Sequence, residues 1–124
     1  MTNSDIFEIS IQKHIYLPEK NCTVYEIVCI TNSDHFKKCH SRVLRRYSEF
    51  RALHYKMKKD IPALPQFPSK CLNRLNYNVV QERHYMLNAY IKYLGELFFE
   101  KKNFNEKWAK CFVEFITNSE YKIK

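Results

Sequence analysis

Arg45-Arg46-Tyr47-Ser48-Glu49-Phe50 is the stretch at which this chain changes from one kind of structure to another. Upstream of it the apolar residues alternate. Phe7, Ile9 and Ile11 fall on one face and Glu8, Ser10 and Gln12 on the other, the period of a half-buried strand. Pro18-Glu19-Lys20-Asn21 interrupts that run, and Thr23 to Thr31 resumes it through Val24, Tyr25, Ile27, Val28 and Ile30. Asn32-Ser33-Asp34 is a turn signal, after which Phe36 to Arg46 reads as a third strand. Connections this short favour antiparallel neighbours, so a three-stranded meander is expected.

Downstream of Tyr47 the period is helical. Ser48 is a good N-cap, and Phe50, Leu53 and Met57 form one stripe until Ile61-Pro62 ends the helix. Pro62, Pro65 and Pro68 then recur every third residue, the repeat of a polyproline II segment. Asn78 with Gln81 reads as a capping box before a long helix striped by Val80, Leu87, Ile91, Leu94 and Phe98. A last helix, capped by Asn105, buries Trp108, Phe112 and Phe115. Strands first and helices afterwards make an α+β domain with three to four helices, and both ends read as short tails.

Composition narrows the chemistry. At 124 residues the chain is one domain, long enough to bury a core. Gly95 is its one glycine, so no glycine-rich phosphate loop, dinucleotide fingerprint or nucleophile elbow can be written. Phosphate, if bound, must be held by side chains. From Lys37 to Arg74 there are eleven Lys and Arg against Glu49 and Asp60, whereas the rest of the chain is nearly neutral. A basic block inside a folded segment suits an anionic partner: nucleic acid, an acidic protein or an anionic membrane. The five cysteines are odd in number and never spaced C-x-x-C, which points to reduced, mostly buried thiols of a cytosolic protein. No signal peptide or membrane-spanning run is legible, so membrane contact is expected to be peripheral.

Within the basic block the residue types suit a phosphorylated ring. Guanidinium forks bind phosphate oxygens bidentately, a lysine adds a movable point charge, and an aromatic face covers C–H surface. Arg45 and Arg46 are consecutive at a strand end, so their side chains diverge and only one can head a pocket. Leu64-Pro65-Gln66-Phe67-Pro68-Ser69-Lys70 presents Lys70 at the end of a stiff segment. Arg83 falls about a turn inside the long helix, where the N-terminus already favours anions.

Taken in order, these motifs resemble the phox-homology (PX) domain, a phosphoinositide-binding module of sorting nexins and oxidase subunits. The resemblance covers about residues 5–118 and includes Arg-Arg-Tyr, the aliphatic-Pro-x-x-Pro-x-Lys segment and the helix opening Gln81-Glu82-Arg83 before Leu87 to Ile91. It implies that Arg46 grips a 3-phosphate, Tyr47 lies against the inositol ring and Lys70 meets the phosphate linking inositol to glycerol. Arg83 would then hydrogen-bond free 4- and 5-hydroxyls. Arg45 becomes a support, paired with an acidic side chain, and Ser48 a pocket-rim residue. The Cys71–Asn78 stretch has no matching pattern. By the resemblance it dips into the membrane, inserting Leu72, Leu75 and Tyr77 while Arg74 meets headgroups; the alternative is that its apolar side chains cap the core.

The expected function is non-catalytic recruitment to cytoplasmic surfaces of endosomal or related membranes carrying phosphatidylinositol 3-phosphate, alongside protein partners of a trafficking complex. The five histidines are scattered without metal-ligand or triad spacing, and no cofactor or metal is expected. Two other classes stay open: single-stranded nucleic acid stacking on the interleaved aromatics, and an adaptor whose PxxP segment binds an SH3-type partner.

Overall fold

A computed structural model describes residues 6–101, 105–118 and 121. Residue 5, the expected start of the domain, and most of the expected C-terminal tail lie outside the described residues. Strands β1 (Phe7–Leu17), β2 (Cys22–Thr31) and β3 (His40–Arg46) form an antiparallel sheet in the order β1-β2-β3. Helices α1 (Tyr47–Asp60), α2 (Tyr77–Lys101) and α3 (Lys107–Thr117) follow. The α+β meander expected from the alternation is therefore present, with three helices among the described residues.

The sheet register explains which face each residue buries. A bulge between Ile11 and Lys13 shifts β1 against β2, so the Phe7-Ile9-Ile11 alternation does not continue to the strand end. Asn21, in the tight β1–β2 turn, takes φ 48°, a left-handed value that asparagine tolerates better than most residues. Central β2 is buried on both faces. Tyr25, Ile27 and Cys29 face the main core with Phe50, Leu87, Ile91, Leu94 and Phe98, whereas Val24 joins Leu17, Cys22 and Leu44 in a smaller cluster.

The third strand is shorter than Phe36–Arg46. It begins at His40 because the preceding chain turns, with the Phe36 N–H donating to the Ser33 carbonyl at 3.2 Å. That turn lets Phe36 enter the core from the side, 5.9 Å from the Phe7 ring and 5.8 Å from Phe98. Four residues of expected ladder give way to a buried aromatic ring.

The caps also move. Arg46, in extended conformation, precedes the first helical residue of α1, and Glu49 accepts its N–H at 3.0 Å. Ser48 therefore lies inside the first turn and is not the N-cap. The α2 cap is Asn76, whose Oδ1 accepts the Asn78 N–H at 2.9 Å and whose carbonyl accepts Val80 N–H at 3.0 Å. Asn78 is thus helical, and Glu106 rather than Asn105 precedes α3. The thiol expectation needs a similar correction: all five are free, but only Cys22 and Cys29 are buried, and burial pushes the Cys29 thiol up to about 11.

Helix α2 crosses β1 closely at Gly95. A Cβ there would lie 2.6 Å from Phe7 Cε2 and 3.0 Å from Ile9 Cγ2. Glycine costs a helix interior about 1 kcal/mol relative to alanine, yet here it permits the approach. Gly95→Val is expected to lower the unfolding free energy by about 1–3 kcal/mol through overpacking, measured by urea denaturation with an unchanged m-value.

Candidate anion-binding site

The junction of β3 and α1 sends its two arginines in opposite directions. Arg45 turns towards α3: its Nε donates to the Phe115 carbonyl at 2.9 Å, and one terminal nitrogen meets Glu49 at 2.7 Å. The same guanidinium covers the Phe115 ring at 4.6 Å and hydrogen-bonds the Asn118 carbonyl. A cation at the C-terminal end of α3 is also favoured by the helix dipole. Arg45 is a structural tie paired with an acid.

Arg46 turns the other way, into a cavity of about 380 Å³. Cys22, Thr23 and Tyr25 of β2 contribute to its lining, and the α1 side is Arg46, Tyr47, Ser48, Arg51 and Tyr55. Arg83 enters from α2, and Lys70, Cys71 and Arg74 come from the connection before that helix. Arg46, Tyr47, Ser48, Lys70 and Arg83 are thus brought together, and Arg45 is outside. The amide-rich N-terminus of α1 lies at the same place, adding partial positive charge.

Tyr47 organises the cleft. Its hydroxyl donates to the Pro68 carbonyl at 2.6 Å, and the Arg83 guanidinium lies 3.7 Å from its ring centroid. Burial raises the Tyr47 phenol above its ordinary value, while the Arg83 and Arg51 charges oppose that shift. In this structure the ring therefore carries Arg83. Arg83 is 6% exposed, unusual for a guanidinium, and its Nε is buried without a hydrogen-bond partner among the described residues. An unpaired buried donor costs about 1–3 kcal/mol, which an anionic or hydroxylic ligand could offset.

The proline segment is pinned rather than free. Phe67 stacks on His54 with centroids 4.6 Å apart and planes at 7°, and meets the Tyr90 ring edge-on at 5.3 Å. Tyr93 donates to the Ala63 carbonyl at 2.9 Å, and Pro68 is buried. Docked in this way, the segment presents exposed Lys70 with little freedom to lose and offers a poor PxxP ligand to another domain.

Two further arginines line the cavity. Arg51 was not singled out, although its i,i+4 relation to Tyr47 puts both on one helix face. Its Nη2 donates to the Tyr55 hydroxyl at 3.0 Å. Arg74, expected among membrane headgroups, lines the cavity and donates to the Asn21 carbonyl at 2.7 Å. Leu72, Leu75 and Tyr77 are exposed, Leu72 completely (101%), so they do not cap the core.

Comparison with known proteins agrees with this geometry. The PX domain family pattern matches residues 33–117. Sorting nexin-3 of Schizosaccharomyces pombe is 36% identical over 73 residues, covering 56% of this chain and 51% of that protein. Human sorting nexin-24 is 34% identical over 99 residues, covering 79% and 50% respectively. The chain spans about half the length of the curated relatives it matches. A designed CISK-PX domain superposes with a TM-score of 0.63 at 23% identity, over 85% of this chain and 96% of that one. The mouse SNX19 PX domain with bound sulphate ion gives 0.57 at 18%, over 88% and 97%. At those identities the structures show the fold alone. The chain belongs to the PX domain family, of the sorting-nexin type, whose members are phosphoinositide-dependent membrane-targeting modules and generally non-catalytic.

Two imidazoles outside the cavity lining, His84 and His54, sit in surroundings that disfavour their charged forms. His84, the neighbour of Arg83, has its Nδ1 3.0 Å from His14 Nδ1, a contact that can hold one proton but not two. Burial first, then His14, lowers the His84 imidazole below its ordinary 6.5, against a raising backbone hydrogen bond to Ile11. His54 is lowered likewise, by burial and then Lys58. Both contribute stability that is complete above pH 6.5, falls as pH drops from 6.5 through the depressed folded values, and is fully lost below them. Thermal melts from pH 7.5 to 5 should show a falling Tm, and His84→Gln should flatten that dependence.

Proposed function

We propose that this chain is a peripheral membrane-targeting module that recognises phosphatidylinositol 3-phosphate on the cytoplasmic face of endosomal or related membranes. The observation that carries the reading is the convergence of Arg46, Tyr47, Lys70 and Arg83, from three separate segments, on one cavity at the N-terminus of α1. In this reading Arg46 takes the 3-phosphate and Lys70 the phosphodiester. Arg83 turns its unpaired donor to the 4- and 5-hydroxyls, and Tyr47 meets the ring. Exposed Leu72, Leu75 and Tyr77 stand beside Lys70 and Arg74 in sequence, an apolar and basic combination suited to entering a headgroup layer. No helix among the described residues is long and apolar enough to cross a membrane. Protein partners of a trafficking complex would then be brought to the same surface.

Liposome co-sedimentation tests the assignment. The parent should bind vesicles containing phosphatidylinositol 3-phosphate over those with the unphosphorylated lipid, and the preference should persist as salt rises. Charge-assisted hydrogen bonds contribute about 1.5–3 kcal/mol, so Arg46→Ala should weaken binding at least about tenfold. A folded Arg46→Ala that binds as the parent does would refute the assignment. Oligonucleotide shifts with no lipid preference would favour the nucleic-acid reading instead.

Ser48 gives a second check. It lines the cavity but does not cap α1, a role its neighbours Arg46 and Glu49 fill through a backbone N–H and a carboxylate. Ser48→Ala should therefore cost little stability. Ser48→Glu places a carboxylate where the ligand's phosphate would sit and should sharply reduce vesicle binding, as would phosphorylation, which adds about −1.5 to −2 charge. Equal binding by folded Ser48→Glu and the parent would move Ser48 away from the ligand.

A further inference from the structure

The basic block that reads as one run in the sequence is divided by the fold. Arg46, Arg51, Lys70 and Arg74 go to the cleft, whereas Lys37, Lys38 and Arg42 line a second cavity of about 760 Å³, against about 380 Å³ for the first. This groove lies between the β2–β3 connection and α3, and Lys110 joins it from the helix. Glu114 is its one carboxylate among the described residues, and the Asn118 side-chain amide donates to it at 2.7 Å. Lys37, Lys38 and Lys110 are exposed and belong to none of the salt bridges among the described residues. The walls are tied. Phe36 is buried beside Phe98, and the Thr31 N–H donates to the Cys39 carbonyl at 2.8 Å, so Lys37 and Lys38 sit on a bend held at both ends. Ser41 Oγ donates to the Ile116 carbonyl at 3.3 Å, joining β3 to α3. Glu26, 2% exposed, holds Arg42 from the sheet at 3.6 Å and leaves that side chain 57% exposed.

We infer that this groove is a docking surface for an acidic segment of a protein partner, a run of Asp and Glu side chains lying along it. Charge complementarity selects an anion, and three features select among anions. The cleft is mostly arginine, whose fork suits a phosphate, but the groove is mostly lysine. Ammonium groups on flexible stems act as separate point charges and suit carboxylates spread along a chain. Nucleic acid would need ring faces for its bases, and the aromatic residues of the groove, Phe36 and Phe98, are only 8% and 1% exposed. Lipid is excluded by position. Strand β3 runs seven residues from His40 beside the groove to Arg46 in the cleft, about 20 Å at about 3.3 Å per residue. With the cleft against headgroups, the groove is more than two Debye lengths of about 8 Å away and open to a soluble partner. This last point alone rests on the membrane reading above.

Fluorescence anisotropy at physiological salt tests the surface, with a labelled hexaglutamate peptide in a Gly-Ser frame and its glutamine counterpart as probes. The glutamate peptide should bind at least about tenfold tighter, and should do so with the cleft saturated by soluble inositol 1,3-bisphosphate. The triple variant Lys37→Gln, Lys38→Gln, Lys110→Gln should bring that ratio below about threefold while retaining vesicle binding. A second triple variant, Lys13→Gln, Lys59→Gln, Lys92→Gln, removes the same charge outside the groove and should keep the ratio. The docking surface is overturned if the parent shows no preference for glutamate, if both triple variants lose it equally, or if the inositol phosphate displaces the peptide. It is overturned in favour of lipid if the groove variant loses vesicle binding and keeps the peptide, and in favour of nucleic acid if a single-stranded oligonucleotide outcompetes the peptide at the groove. A parent that binds the peptide as expected but no phosphoinositide vesicle would overturn the membrane reading and leave the docking surface standing.

Discussion

Glu49 holds the corner from which the rest of the molecule is arranged. One of its oxygens accepts the Arg46 N–H at 3.0 Å, satisfying a backbone donor that the start of α1 leaves open. The other meets the Arg45 guanidinium at 2.7 Å, in a setting where both side chains are largely screened from water. One carboxylate thus sets where the strand ends and binds Arg45 to α3. Because adjacent residues of an extended chain face opposite ways, Arg46 is directed into the cleft by the same constraint. Losing the carboxylate would release the helix start, the α3 contact and the aim of Arg46 together, so the corner acts as a unit.

The cleft is built against electrostatic cost, which the surrounding core makes tolerable. Five cationic side chains share a wall without a carboxylate, and one of them, Arg83, is nearly inaccessible to water. Its charge is kept by the face of Tyr47, a contact worth up to about 2 kcal/mol when desolvated. Tyr47 is itself fixed at both ends, by its place in the first turn of α1 and by Pro68. Phe67, His54 and Tyr90 form the aromatic stack beneath, joining the proline segment to α1 and α2. Rigidity of this kind lowers the entropy lost when a ligand binds.

Much of this was readable in the chain. The period-two alternation to Arg46 and the helical stripes after it located the sheet and helices, because burial of one face imposes that spacing wherever it occurs. The residues that line the cleft were legible where each sat in a motif with its own chemistry: Arg46-Tyr47, the proline segment ending in Lys70, and Arg83 after a helix start. Boundaries were less legible. The cap of α1 passed from Ser48 to a neighbouring backbone served by Glu49, and Phe36 left its expected strand for the core. For Phe36 the selecting contacts, with Phe7 and Phe98, come from elsewhere in the chain, whereas at α1 the choice among neighbouring caps is made locally by Glu49.

The sequence by itself determined the class of the fold, the sign of its surface and the side chains able to hold phosphate, since these follow from local pattern and residue chemistry. Tertiary structure decided which of those side chains share a space. Arg51 and Arg74 belong to no recognisable motif and joined the cleft only when α1 and the chain before α2 closed around it. Leu72, Leu75 and Tyr77, equally compatible with core or surface as letters, were left outside it. Proximity between residues far apart in the chain is set by packing of whole elements, and an amino-acid pattern records an element's own faces but not what will stand opposite them.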